Sequence, residues 1–223
     1  MLNKAISFYL DIFFPKYCFG CRKRGNYLCE DCRACLEISQ HQYYLYKEQK
    51  LDALYFALDY QKSFIKKLIQ QFKYEPFIKE LSQSLAVLII EHFYLLDKPP
   101  PFLTNKTNFI LIPIPLHLKR LKRRGFNQAE EIAKELSKFL SLPLVSDCLI
   151  KDKETRAQVE LNNEERKENV KGVFLVKNKE KIEKKKILLI DDVYTTGSTM
   201  EEAAKVLKKA GAKKVIGIVI ARG

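Results

Sequence analysis

Apolar and polar positions change their spacing along this chain, and the changes mark out its parts. Over residues 46–98 the apolar positions recur at helical intervals. Phe64, Ile65, Leu68, Ile69 and Phe72 form one stripe, with Lys62, Lys66, Lys67 and Lys73 elsewhere on the turn. Phe77 to Leu96 repeats the pattern until Lys98-Pro99-Pro100-Pro101 stops it. From Phe109 onward, short β-rich runs at Phe109–Ile112, Gly172–Val176, Ile187–Ile190 and Val215–Ile220 alternate with helical stretches at Asn127–Leu140 and Thr199–Ala210. Alternation of this kind predicts an α/β fold, a parallel sheet flanked by helices. Between two of the strands, Lys177–Lys186 holds six lysines and two glutamates and reads as a solvated turn. At the other end, Met1 to Tyr17 is apolar enough to resemble a signal peptide. Asp11 interrupts it and no small-residue cleavage site follows, so it is expected to be an ordered helix. The expected organisation is a helix with a small module over 1–45 and one larger domain over 46–223, made of a helical lead-in (46–105) and a core (106–223).

Composition narrows the class. With 47% apolar residues in 223, the chain can bury a real core, which argues against disorder. No apolar run approaches the ~18–20 residues of a membrane span, so no membrane span is expected. Forty Lys+Arg against 27 Asp+Glu leave a formal charge of +13, which favours polyanionic partners such as phosphates, nucleotides or nucleic acid.

Five of the six cysteines crowd into the first module. Cys18-x-x-Cys21 and Cys29-x-x-Cys32 are two knuckles seven residues apart, and in a reducing compartment they suggest a metal site more than a disulfide framework. Two such turns can place four thiolates at the corners of a tetrahedron, which suits a structural zinc ion with a closed shell. Gly20 and Gly25 are expected to give the knuckles their backbone freedom. Cys35 is surplus to the set and Cys148 stands alone.

The most informative stretch runs from Ile187 to Thr199. A buried strand delivers Asp191 and Asp192 to its C-terminal end, where open α/β sheets bind ligands. A hydroxyl-rich loop, Thr195-Thr196-Gly197-Ser198-Thr199, then enters a helix that Ser198 or Thr199 is expected to cap. Loop amides, hydroxyls and the helix N-terminus make a seat for a phosphate monoester. The two carboxylates beside it suit a vicinal diol, whose hydroxyls they would accept as charge-assisted hydrogen bonds. Phosphate at one end and diol at the other describe a ribose 5-phosphate. An apolar strand, two acids and a T-T-G-x-T-like loop resemble the type I phosphoribosyltransferases.

That resemblance gives meaning to two further segments. After the strand ending in Pro113-Ile114-Pro115-Leu116-His117, five cations fall within six residues: Lys119, Arg120, Lys122, Arg123 and Arg124. In the family resembled, the loop after the first core strand holds the pyrophosphate of the donor, 5-phosphoribosyl-1-pyrophosphate. Arg123 and Arg124 are the candidates here, because guanidinium forks match phosphate oxygens. His117 reads as a turn residue, and Asn127 with Glu130 as a capping box. The polar segment from Glu154 to Val170 corresponds to the loop these enzymes close over the donor, with Arg156, Gln158, Arg166 and Asn169 as candidate contacts.

Taken in order, the CxxC pairs, Ala57-Leu58-Asp59-Tyr60, Ile65-Lys66-Lys67-Leu68-Ile69, Pro113-Ile-Pro-Leu116, Arg124-Gly-Phe-Asn-Gln128, Thr155-Arg-x-Gln158 and Asp191-Asp-Val-x-Thr-Thr-Gly197 resemble the ComF family over nearly the whole chain. The resemblance implies a cytoplasmic protein of natural competence, linked to single-stranded DNA and the DNA-uptake machinery. It also implies magnesium accompanying the donor. Three readings of function stay open: donor binding without turnover, transfer of ribose 5-phosphate to an unidentified acceptor, and zinc-dependent DNA binding with a vestigial sugar site.

Overall fold

The computed structural model describes residues 13, 15–41, 43, 49–75, 77–153 and 168–223. It divides into two compact units, Met1–Glu37 and Ile38–Gly223. Most of the expected N-terminal helix lies outside the described residues.

The larger unit is built on a parallel sheet of β1 (Ala53–Asp59), β2 (Phe109–Pro113), β5 (Lys186–Ile190) and β7 (Lys214–Arg222), in the order β1-β7-β5-β2. Residues 53–59 therefore correct the helical reading of the lead-in. Ala53-Leu-Tyr-Phe-Ala-Leu is apolar throughout, and a short continuous run of this kind does not distinguish strand from helix by period alone. A two-residue strand β6 (Val193–Tyr194) keeps the register of β5 against β7, so the Asp191-Asp192 pair interrupts an otherwise continuous strand. The run at 172–176 is also corrected. Only Phe174–Val176 (β4) is strand, and it pairs antiparallel with β3 (Leu149–Lys151) in a separate two-stranded sheet.

Helices cover both faces of the sheet. The long helices are α2 (Ser63–Lys73), α3 (Leu81–Leu95), α6 (Gln128–Leu140) and α7 (Ser198–Lys209); α4 (Pro101–Thr104) and α5 (Leu118–Arg124) are short. Helix α3 packs on α6, β1 and β7, whereas α7 packs on β4 and β7. Strand residues alternate accordingly. Ile110, Ile112, Ile187, Leu189, Val215 and Val219 share a core with Met200, Ala203, Ala204 and Leu207 of α7. Leu111, Leu188, Ile190, Ile216 and Ile218, also buried, point to the opposite face. Burial on both faces explains why these strands read as unbroken apolar runs.

Among its described residues the small unit has only three buried apolar side chains, Cys18, Leu28 and Cys29. A Tyr17–Arg24 bridge and Phe19 stacked on Tyr27 at 5.7 Å shape the first knuckle. The second knuckle runs into α1 (Glu30–Ala34), with Cys29 as its N-cap.

Candidate functional site

In the small unit, the sulfurs of Cys18, Cys21, Cys29 and Cys32 all lie within 4.8 Å of one another. A metal–sulfur bond of about 2.3 Å asks for sulfurs about 3.8 Å apart, so the donor set fits one tetrahedral ion. Among the described residues this is the only group of three or more His, Cys, Asp or Glu side chains placed to hold a metal. Cys35 is exposed and outside it. Backbone N–H groups already face the sulfurs: Cys29 N donates to Cys18 Sγ at 3.4 Å and Cys32 N to Cys29 Sγ at 3.5 Å. Burial opposes a thiolate at Cys18, yet the amides of Cys29, Cys21 and Gly20 bring its pKa down to about 6. The hydrogen bond of Cys32 with Cys21, then those with Cys18 and Cys29, push the Cys32 thiol up to about 12. Four thiols packed this closely cannot all ionise without a cation among them, so the cluster is a donor set that could hold a metal ion. The left-handed residues of the first knuckle are Arg22 (φ 67°) and Gly25 (φ 125°), so Gly20 does not have the role expected of it.

In the larger unit, Asp191 and Asp192 emerge at the C-terminal end of β5, beside the end of β2. Each carboxylate is held through one oxygen. Asp191 Oδ1 accepts from the Asp192 backbone N–H at 2.9 Å, and Asp192 Oδ1 pairs with Lys73 Nζ at 2.8 Å. The Oδ2 of each acid takes part in neither contact. Burial first, and the adjacent Asp192 second, push the Asp191 carboxyl up to about 7, with Lys73 and Lys151 acting against the rise.

The loop after the pair enters α7 as expected, but its cap differs. Gly197, left-handed at φ 75°, is the N-cap in place of Ser198 or Thr199, and it has no side chain with which to cap the helix. Instead Thr196 Oγ1 and Ser198 Oγ hydrogen bond to each other at 2.9 Å. The backbone here has no room for a side chain, since a Cβ on Gly197 would run into the phenol end of Tyr194. Gly197→Ala is therefore expected to destabilise the protein by about 2 kcal/mol or more, from strain and overpacking combined. Chemical denaturation measures it; a loss below about 0.5 kcal/mol would mean the loop relaxes freely. Thr195 is exposed, Thr196 and Thr199 are half-buried, and Ser198 is buried at the helix N-terminus.

The basic loop becomes α5, and its two faces separate as helical spacing requires. Lys119, Lys122 and Arg123 are exposed, while Arg120 and Arg124 are half-buried. Of the two candidate arginines, Arg124 lies within electrostatic reach of Asp192. Burial lowers its pKa, and the charge of Asp192 opposes that lowering. His117 Nδ1 accepts from Lys119 N at 3.4 Å, the capping contact of a turn residue. The segment Arg124-Gly-Phe-Asn-Gln128 is a clip. Gly125 ends α5 in a left-handed turn, and Phe126 packs on Phe72 with ring centroids 5.8 Å apart. Asn127 caps α6 through Ala129 N and donates to Ile114 O at 3.0 Å. Gln128 donates to Phe72 O at 3.0 Å and accepts from Arg124 at 2.9 Å. One short motif thus ties β2's exit loop, α2 and Arg124 together.

Two cations at this site escaped sequence reasoning. Lys73, the last residue of α2, lies off the apolar stripe of that helix, yet its side chain is only 23% exposed against an Asp192 side chain that is 11% exposed. Burial works against its ammonium, and the charge and hydrogen bond of Asp192 outweigh it, so its pKa is raised. Lys151, on β3, is lowered to about 8 by burial and then by Arg120, with Asp191 opposing. A lysine ending an amphipathic helix was the available signal for the first. For Lys151 the sequence held none. Arg156, Gln158 and Arg166 lie outside the described residues, and Asn169 is half-buried next to the core residue Val170.

The phosphoribosyl transferase domain model matches residues 121–223. Competence protein F of Haemophilus influenzae is 30% identical over 204 residues, which cover 91% of this chain and 82% of that protein. Competence protein ComFC of Streptococcus pneumoniae is 41% identical over 104 residues, covering 47% of this chain and 44% of that protein. The DNA utilization protein YhgH of Escherichia coli K12 is 33% identical over 105 residues, 47% of this chain and 45% of that protein. The last two matches thus span less than half of each relative.

Proposed function

The chain belongs to the ComF family, and we propose that it acts in natural transformation as a cytoplasmic protein that binds 5-phosphoribosyl-1-pyrophosphate and handles incoming single-stranded DNA. The observation that carries the ligand is the acidic pair: two adjacent carboxylates, each pinned through Oδ1, with Oδ2 left for a hydroxyl. A diol donates one O–H to each, while the 5-phosphate occupies the Thr195–Thr199 loop at the N-terminus of α7. Arg124, held by Gln128, provides positive charge for the pyrophosphate. The acidic pair does not fit a magnesium site of the protein's own, because Lys73 already supplies its counter-cation. Magnesium is therefore assigned to the donor's pyrophosphate. The cysteine cluster is assigned to a structural zinc ion. The DNA role draws on the +13 charge and on what its relatives are called.

Calorimetry on the full chain tests the ligand. The magnesium complex of 5-phosphoribosyl-1-pyrophosphate is expected to bind with one site per chain, and saturating titration without heat would overturn the reading. A salt titration of single-stranded DNA binding tests the second part, because counterion release requires affinity to fall as salt rises. The Asp191 carboxyl, pushed up to about 7 chiefly by burial, suits a general base and supports the transferase reading in addition. Pyrophosphate release in the presence of an acceptor distinguishes it from binding alone.

A further inference from the structure

The two acids of the pocket differ in their surroundings although they are adjacent in sequence. Asp192 has an ammonium 2.8 Å from its Oδ1. Among the described residues, the corresponding oxygen of Asp191 accepts from the backbone N–H of its neighbour and has no cation in contact. We propose that Lys73 is a positioning residue that divides the roles of the pair, holding Asp192 as the permanent carboxylate and leaving the pair's one exchangeable proton on Asp191. The proposal rests on reading the pair as the diol site, and it deepens that reading by giving each acid its own task.

The argument is electrostatic. Two partly buried carboxylates side by side repel, and one of them tends to keep a proton. Which one keeps it depends on where the fixed cations stand. Lys73 Nζ is in direct contact with Asp192, and its side chain is largely buried at the end of α2. A cation at hydrogen-bond distance favours the charged form of its partner far more than one further off. The other charged or titratable groups on the elements around the pair do not cancel this asymmetry. Arg124 of α5 favours the Asp192 charge as well. Lys151 of β3 acts on Asp191, but Arg120 and burial weaken its own charge. Arg120 and Arg123 lie on α5 near Arg124, Tyr74 follows α2, and Tyr60 lies within electrostatic reach of Lys73. The near-neutral titration of Asp191 agrees with this ranking. A pair whose members are pushed apart in this way can bind a hydroxyl firmly at one acid and exchange a proton at the other.

Carbon-13 carboxyl resonances of the full chain, followed from pH 5 to 9 without ligand, test the assignment. The Asp191 signal is expected to move with a midpoint near 7, and the Asp192 signal to keep its carboxylate position throughout. In Lys73→Met both signals should move, with the midpoint about one pH unit higher; Lys73→Arg should restore the original pattern. An Asp192 signal that takes the proton in the unaltered protein overturns the proposal, even if Lys73→Met fails to fold. So does a titration unchanged by Lys73→Met.

Binding of ribose 5-phosphate by the same proteins provides a second readout. Lys73→Met is expected to weaken it at least tenfold at pH 7, and the gap should narrow by pH 8.5 as the pair ionises. The ligand phosphate's own titration is common to both proteins and cancels in the comparison. An equal loss at every pH would make Lys73 merely structural and overturn the proposal. If the unaltered protein binds neither ribose 5-phosphate nor its pyrophosphorylated form, the donor-binding reading fails, while the carboxyl titration still decides the role of Lys73.

Discussion

Asp191→Asn is expected to make the protein more stable above neutral pH while weakening donor binding at least tenfold. The Asp191 carboxyl is raised to about 7 in the folded chain, chiefly by burial, against about 3.9 for an unfolded aspartate. A raised acid favours the native state while it is protonated. Its contribution is complete below pH 4 and is lost as pH climbs through 7. Above that point the fold carries a half-buried charge next to a second acid, and asparagine removes it, for a gain on the order of 2 kcal/mol. At pH 4 the two proteins should differ little. Binding moves in the opposite direction, because asparagine gives up the charge-assisted acceptor for a ribose hydroxyl, worth about 1.5–3 kcal/mol. Denaturant melts at pH 4.5 and 8, set beside calorimetry at pH 7.5, measure both. A variant less stable than its parent at both pH values would show that the carboxylate is not strained. An unchanged affinity would remove Asp191 from the ribose site. Opposite signs for stability and binding are the usual mark of a residue kept for function.

Removing the metal should have the largest structural effect. Protein purified without added zinc is expected to contain about one equivalent, held by Cys18, Cys21, Cys29 and Cys32. The described part of the small unit buries only Cys18, Leu28 and Cys29, too little apolar surface to fold by itself. A structural zinc site contributes roughly 10–16 kcal/mol, comparable to the whole stability of a domain. Chelation should therefore bring amide exchange in residues 15–37 close to the unfolded rate. Exchange in the buried strands β5 and β7 should keep its protection, because their core lies within Ile38–Gly223. Cys21→Ser should reproduce the effect without a chelator, whereas Cys35→Ser should not. Well under half an equivalent of zinc, or unaltered exchange after chelation, would count against a structural metal.

How far the pocket could be read beforehand follows the distance over which each part is built. Strand, acidic pair, hydroxyl loop and helix are contiguous from Lys186 to Lys209, so their chemistry is laid out in order along the chain. The same holds for the knuckles, where a fixed spacing aims the sulfurs together. Arg124-Gly-Phe-Asn-Gln128 stood out as a pattern, but its work did not. Gln128 reaches Phe72 O, 56 positions away, and a long-range tie of that kind leaves no periodic trace. The cap of α7 was misplaced for a related reason. A serine and a threonine at the start of a helix suggest a side-chain cap, but the Tyr194 ring lies against Gly197, and the turn it leaves open is a left-handed glycine.

The amino-acid order alone determined the α/β class, the four-cysteine set and the strand-to-helix site, since each rests on local spacing and the alternation of apolar residues. Tertiary structure decided that 53–59 is a strand, because an all-apolar run takes its conformation from the neighbour it pairs with, here β7. It also decided which cations meet the acids. A lysine at the end of a helix can extend into solvent or fold over a carboxylate. Only the placement of α2 and β3 around the end of β5 brings Lys73 to Asp192 and Lys151 within reach of Asp191.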